Sequence, residues 1–203
     1  MVRPRKIAVL LDSHYDGTET AAFQNFFPVR GFEVEFIGYL RGASEAVFFN
    51  NNNPSETITV TKDIGDVVLT EYTGFVAVGG YAMDMIRYEP IVEEGPDGRP
   101  KELPTASKFA IDALRDPEIT VGTICHSLWI FTSDPTALAG RTVTCGHNII
   151  YDVLNAGAKL AYDAVHQQLA GSHVDGNLVS GRHPFAVQEF METYYAELLK
   201  KGY

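Results

Sequence analysis

Cys125 stands directly before His126, at the point where the apolar run Thr120-Val121-Gly122-Thr123-Ile124 gives way to Ser127-Leu128-Trp129. A strand followed by a helix would place the cysteine at a helix N-terminus. Unpaired N–H groups and the helix dipole favour negative charge there, which would lower the thiol pKa and supply a reactive thiolate. Read from Thr123 to Trp129 alone, Cys125 is equally well a small buried hydrophobe. Other residues able to do chemistry collect at two further strand ends. Asp12 to Glu19 follows the run Ile7 to Leu11, and Gly79-Gly80 closes the run that starts at Phe75. Glu19 opens a helix, where a capping carboxylate is ordinary. Beside a thiolate and partly buried, it would instead keep its proton and donate to sulfur. Gly79 and Gly80 allow close backbone approach and offer N–H groups to an oxyanion. His126 and His147 are candidate bases, and His14, Tyr81 and Trp129 candidate rim residues. His166 and His173 are read as ordinary surface residues.

The elements that must carry these residues alternate. Ile7 to Leu11 is a buried strand, and a helix from Thr18 to Val29 stops at Gly31. Glu33 to Gly38 is the next strand, completing a strand–helix–strand unit and implying a parallel sheet. Thr57 to Thr61 is an added strand behind the loop Asn50 to Pro54. Phe75 to Gly80 is a buried strand, Ala106 to Arg115 a helix and Thr120 to Ile124 the strand feeding Cys125, with helix continuing from Ser127 to Thr132. Arg141 to Cys145 is strand-like and Tyr151 to Ala156 a short helix. His173 to Val179 is a hairpin turning at Asp175-Gly176 or an edge strand. Phe185 to Lys201 closes the chain as an amphipathic helix, with Val187, Phe190, Met191, Tyr194 and Leu198 on its core stripe. The expected fold is α/β: a doubly wound, mostly parallel sheet with helices on both faces, in a single domain over residues 1–203. Two surface excursions are expected near 41–65 and 89–104, the second holding four prolines. Such sheets bind ligands at the carboxyl ends of their strands, where the three segments above converge.

Composition narrows the function. The chain has 203 residues, 45% of them hydrophobic, and a net charge of −10, which argues against non-specific nucleic-acid binding. Two cysteines, Cys125 and Cys145, suit a reducing compartment and argue against a disulfide scaffold. No run has the length of a membrane helix, and cytoplasmic localisation is expected. Neither Cys-x-x-Cys nor His-x-x-x-His spacing occurs, nor a Walker or dinucleotide glycine pattern, nor Gly-x-Ser-x-Gly. No metal or cofactor is expected.

Five pieces in order resemble the ThiJ/PfpI family of the class I glutamine amidotransferase-like superfamily, whose fold is a flavodoxin-like sandwich. They are Glu19, twelve residues before Gly31; Gly79-Gly80; Ile124-Cys125-His126; Leu138 to Thr144 leading to Asp152 and Asn155-Ala156-Gly157-Ala158; and Val174 to Pro184. The resemblance implies Cys125 as elbow nucleophile, Glu19 as its partner carboxylate, and an oxyanion pocket at Gly80 and the His126 amide. His126 matches the histidine that, in some members, pairs with a carboxylate of a neighbouring subunit, and His147 a histidine of other members. Ser127 replaces a frequent glycine, and Ser180-Gly181-Arg182 a Thr-Ser-Arg-like segment. The late His-x-Glu of the amidotransferases is absent, which argues against glutamine hydrolysis. The implied function is a cofactor-independent cysteine enzyme acting on small reactive carbonyls or their adducts, glyoxalase- or deglycase-like, as a homodimer or higher homo-oligomer. The alternatives are a redox-sensing or chaperone-like stress protein using an oxidisable Cys125, and a cysteine peptidase, amidase or hydratase of the same superfamily.

Overall fold

A computed structural model describes residues 3–90 and 93–203. Its first half contains β1 (Lys6–Leu10), α1 (Gly17–Phe26), β2 (Glu33–Ile37), β3 (Ala46–Phe49), β4 (Thr57–Val60), β5 (Gly74–Ala77), α2 (Ala82–Ile86) and α3 (Thr105–Arg115). Then come β6 (Thr120–Ile124), β7 (Thr142–Val143), α4 (Ile150–Asn155), β8 (Lys159–Leu160), β9 (Tyr162–Asp163), β10 (Gln168–Leu169), β11 (Ser172–Asp175), β12 (Leu178–Gly181) and α5 (Val187–Lys200).

The main sheet has the order β11-β12-β6-β5-β1-β2. All its neighbours are parallel except the edge pair β11–β12, an antiparallel hairpin turning at Gly176, where φ is positive. Both expectations for His173 to Val179 hold, since β11 is a hairpin arm and also the sheet edge. The parallel strands are apolar runs because both faces are covered. Alternation along β5 makes this concrete. Gly74 faces α5, where an added Cβ would lie 2.2 Å from Tyr194 Oη, while Phe75 faces α3, its ring 5.5 Å from that of Phe109. α1 packs beside α5, with the Phe23 and Phe190 rings 6.2 Å apart. From β1 the chain runs outward to β2 and then returns to β5 on the other side of β1. This reversal opens a crevice at the strand ends.

Several boundaries differ from the sequence reading for identifiable reasons. The first helix ends at Phe26, not Val29, because Pro28 has no N–H to continue it, and a 3-10 turn Pro28–Arg30 leads to left-handed Gly31. The segment after Cys125 is a 3-10 helix, Ser127–Phe131, rather than an α-helix. Only Thr142 and Val143 of the expected strand 141–145 pair, with β8. The closing helix starts at Val187 after a 3-10 turn Pro184–Ala186, which leaves Phe185 95% exposed.

The excursion near 41–65 is a β3–β4 hairpin whose tip folds back onto the sheet ends. Asn50 is buried, accepts the Gly17 N–H at 3.3 Å and donates to Glu56 at 2.7 Å, while Tyr15 bridges to both Asn50 and Gly80. In the excursion near 89–104, residues 91–92 lie outside the described residues. Beyond them Glu94 bridges to Pro100, and Lys101 pairs with Glu93 at 2.6 Å.

Candidate active site

Cys125 directly follows β6 with φ +60°, a left-handed conformation that costs a non-glycine residue about 1–2 kcal/mol. Its neighbours hold it there. The Cys125 N–H donates to Gly181 O at 3.0 Å, and Gly146 N–H donates to Cys125 O at 2.8 Å. Ser127 Oγ accepts the Ile124 N–H at 2.6 Å and donates to Ile124 O at 2.8 Å. The departure from glycine at position 127 therefore supplies a brace for the turn.

The backbone N–H groups of Gly80 and His126 face the Cys125 sulfur and pull its thiol down. The electrostatic expectation for the thiol itself is reversed. Burial, and second the Glu19 carboxylate, push Cys125 up to about 12. The five-residue 3-10 helix that follows is no substitute for an α-helix dipole, and desolvation of the charged form wins.

Glu19 is completely buried. It occupies the third position of α1, where a glutamate commonly reaches back to its own cap. Asp16 is the N-cap and accepts the N–H groups of Thr18 and Glu19 at 2.9 and 3.1 Å. Glu19 turns inward instead, and its Oε2 accepts the Gly79 N–H at 2.6 Å. Among the described residues its Oε1 has no hydrogen-bond partner. Burial raises the Glu19 carboxyl well above its ordinary value, with the Asp16 charge second and the Gly79 N–H opposing. The direction matches the sequence reading, but Asp16 rather than a thiolate supplies the second cause.

Gly79 is where nucleophile and carboxylate meet. A Cβ built there would lie 2.6 Å from Cys125 Cβ and 2.7 Å from Glu19 Oε1, so both groups border one small space. At Gly80, φ is +67° and a Cβ would fall 2.3 Å from His14 O. The Tyr81 N–H donates to the same carbonyl at 2.9 Å, tying the loop after β1 to the loop after β5.

His126 is buried with its ring 5.2 Å from Tyr81 and 5.0 Å from Trp129, and its Nδ1 has no partner among the described residues. Burial holds its imidazole below the ordinary value, against a smaller opposing pull from the Gly80 backbone. The Trp129 indole N–H donates to Asp152 on α4 at 2.9 Å, and the Arg87 guanidinium lies 4.7 Å from the Trp129 ring centroid. Cys125, Glu19, Gly79, Gly80, His126, Tyr81 and Trp129 thus form one cluster. His14 contributes through its backbone, its ring resting 4.5 Å from Phe49. His147 lies apart, exposed on a turn and lining a neighbouring groove with His166 and His183. Among the described residues no group of three or more His, Cys, Asp or Glu side chains could hold a metal ion.

Sequence reasoning missed three contributors. The pattern Asp16-x-x-Glu19 is a helix-start signature that points to Asp16 as the cap. Ser127 and His183 had no local signal, because their roles arise from contacts made only in the fold.

A model of the DJ-1/PfpI family matches residues 5–197. An uncharacterized protein of Staphylococcus haemolyticus is 28% identical over 186 residues, covering 92% of this chain and 93% of its own. A solved ThiJ/PfpI domain protein from Brachyspira murdochii superposes with a TM-score of 0.78 at 14% identity, over 98% of this chain and 99% of that one. A solved two-domain protein from Anabaena variabilis, with DJ-1/ThiJ/PfpI-like and ferritin-like domains, gives a TM-score of 0.77 at 22% identity. It covers 95% of this chain, which spans 48% of that protein.

Proposed function

The chain belongs to the DJ-1/PfpI family, and from that premise we propose that it is a cysteine enzyme converting small reactive carbonyls, of the 2-oxoaldehyde class, to 2-hydroxy acids. One observation carries the reading: a fully buried carboxyl with one oxygen fixed by Gly79 N–H and the other unpartnered beside Cys125.

In this mechanism the ionised form of Glu19, made a stronger base by its burial, takes the Cys125 thiol proton as sulfur adds to the aldehyde carbon. The N–H groups of Gly80 and His126, which face the sulfur, receive the new oxyanion. Glu19 then protonates that oxygen, completing a hemithioacetal. Transfer of the C1 proton to C2 by Glu19 or His126 gives a thioester of the 2-hydroxy acid. Water cleaves the thioester, releasing the acid and restoring the thiol, so the net reaction adds one water to the substrate.

The neutral, buried thiol favours this reading over an oxidation sensor, since oxidation selects exposed thiolates. The exposed Tyr81, Met85 and Tyr88 beside the mouth support assembly as a homodimer. Two unpaired cysteines suit a cytoplasmic setting.

The deciding measurement is lactate formed from methylglyoxal without glutathione or added metal. Wild type is expected to turn over and Cys125→Ala to fall to the uncatalysed rate. Equal rates would end the proposal.

A further inference from the structure

A groove of about 850 Å³ opens beside the candidate site, larger than a three-carbon carbonyl needs. Its inner end follows from the sheet register. Gly181 of β12 lies opposite Ile124 of β6, which puts Arg182 and His183 next to Cys125 and His126. Gly146 donates to Cys125 O, and His147, one residue further on, lines the groove from that side.

On one wall of the groove Asp163 and His166 pair with each other at 2.6 Å, and the remaining charged and imidazole groups divide by place. At the strand ends stand donors with capacity left over. His183 Nδ1 accepts the Phe185 N–H at 3.3 Å, so its Nε2 carries the proton and is free to donate. Arg182 spends one N–H on Leu169 O at 2.9 Å and keeps the rest of its fork. Along α5 stand Glu189 and Glu192, each with one oxygen engaged, by Ser172 N–H and by Gln188. Phe185 lies over His183, ring centroids 4.7 Å apart, and forms an apolar rim. Donors next to the nucleophile and carboxylates on the helix match a ligand that carries both charges.

We propose that this groove is a carrier subsite, which holds the zwitterionic amino-acid or short-peptide arm of a thiol bearing the reactive carbonyl as a hemithioacetal. The carboxylate of the arm meets Arg182 and His183, and its ammonium meets Glu189 and Glu192. The delivery step balances. The hemithioacetal C–S bond breaks, its electron pair leaves on the carrier sulfur, and the hydroxyl proton goes with it, giving free carrier thiol and aldehyde. The aldehyde carbon then bonds to Cys125. The substrate class thus rests on the reading of Cys125 above, whereas binding of the arm does not.

Two measurements separate these claims. Cys125→Ala protein is titrated with S-methylglutathione, an unreactive peptide carrying both charges, and the imidazole NMR signals of His147 and His183 are followed. Saturable shifts are expected, with Kd weakened about tenfold when Glu192→Gln or Arg182→Lys is added. Absence of saturable shifts, or the same Kd in both added variants, overturns the subsite whatever the enzyme does. Turnover is then compared for methylglyoxal carried on glutathione and on 2-mercaptoethanol. The glutathione adduct should show about tenfold higher kcat/KM in wild type, and that advantage should vanish in Glu192→Gln while the mercaptoethanol rate stays unchanged. Equal kcat/KM for the two adducts overturns delivery through the groove. Saturable binding with no turnover of any carbonyl keeps the subsite and removes the proposed activity instead.

Discussion

A glutamate three positions past its cap ordinarily serves its own helix, and Glu19 has been diverted from that service. It bonds Gly79 instead and leaves one oxygen unpaired in the core. This arrangement has a stability signature. The unfolded Glu19 titrates near the ordinary value of about 4.3, while the folded carboxyl titrates well above it. Below the unfolded value both states hold the proton and nothing is lost. As pH rises, the unfolded chain releases its proton first, so the fold loses stability until the folded carboxyl also ionises. Glu19→Gln, neutral at every pH, should therefore melt higher than wild type at pH 7. The gain would be about 2–4 °C per kcal/mol relieved, shrinking to nothing near pH 4. A melting temperature below wild type at pH 7 would contradict the sign. Cys125 and Glu19 were legible from the order of motifs around them. The direction of the thiol shift was not, because the sequence reads as a helix where the chain makes a 3-10 turn. Nor could it tell that burial would outweigh two N–H donors.

The elements that hold the site were mostly legible where hydrophobic periodicity was strong. β6 was placed residue for residue, and the core stripe of α5 was read with only Val187 less than buried. β7 was not, because a β-branched run of strand length says nothing about how many residues find a partner. The asparagine run read as a loop or hairpin tip, yet Asn50 is a buried strut between the β3–β4 hairpin and the first residue of α1. Packing of α5 depends on positions without side chains, among them Gly74, Gly122 and Gly181. At Gly122 an added Cβ would lie 2.9 Å from both Phe190 Cζ and Tyr194 Cε2. These rings are fully buried, and Tyr194 Oη donates to Thr120 O at 2.7 Å, so neither has room to retreat. Gly122→Ala should cost about 1–3 kcal/mol in thermal or urea unfolding. Unchanged stability would mean that α5 can shift away from the sheet.

At the scale of the molecule, the doubly wound sheet was legible from alternation alone, because buried parallel strands and their crossovers leave few other arrangements. What alternation cannot reveal is the strand order, and the order puts Glu19, Gly79 and Cys125 at neighbouring ends across the crevice. The homodimer proposed above predicts twice the chain mass by light scattering, reverting to one chain mass in Tyr88→Asp. A single chain mass in wild type would remove it. Finally, the two amides of Gly80 and His126, both facing Cys125 from one side, make the site handed. A flat aldehyde whose oxygen must dock on them presents one face to sulfur, and a proton returned from the Glu19 side reaches the adjacent carbon from one direction. The lactate formed from methylglyoxal should consequently be one enantiomer on a chiral column, and a racemic product would mean that the second proton arrives from bulk water.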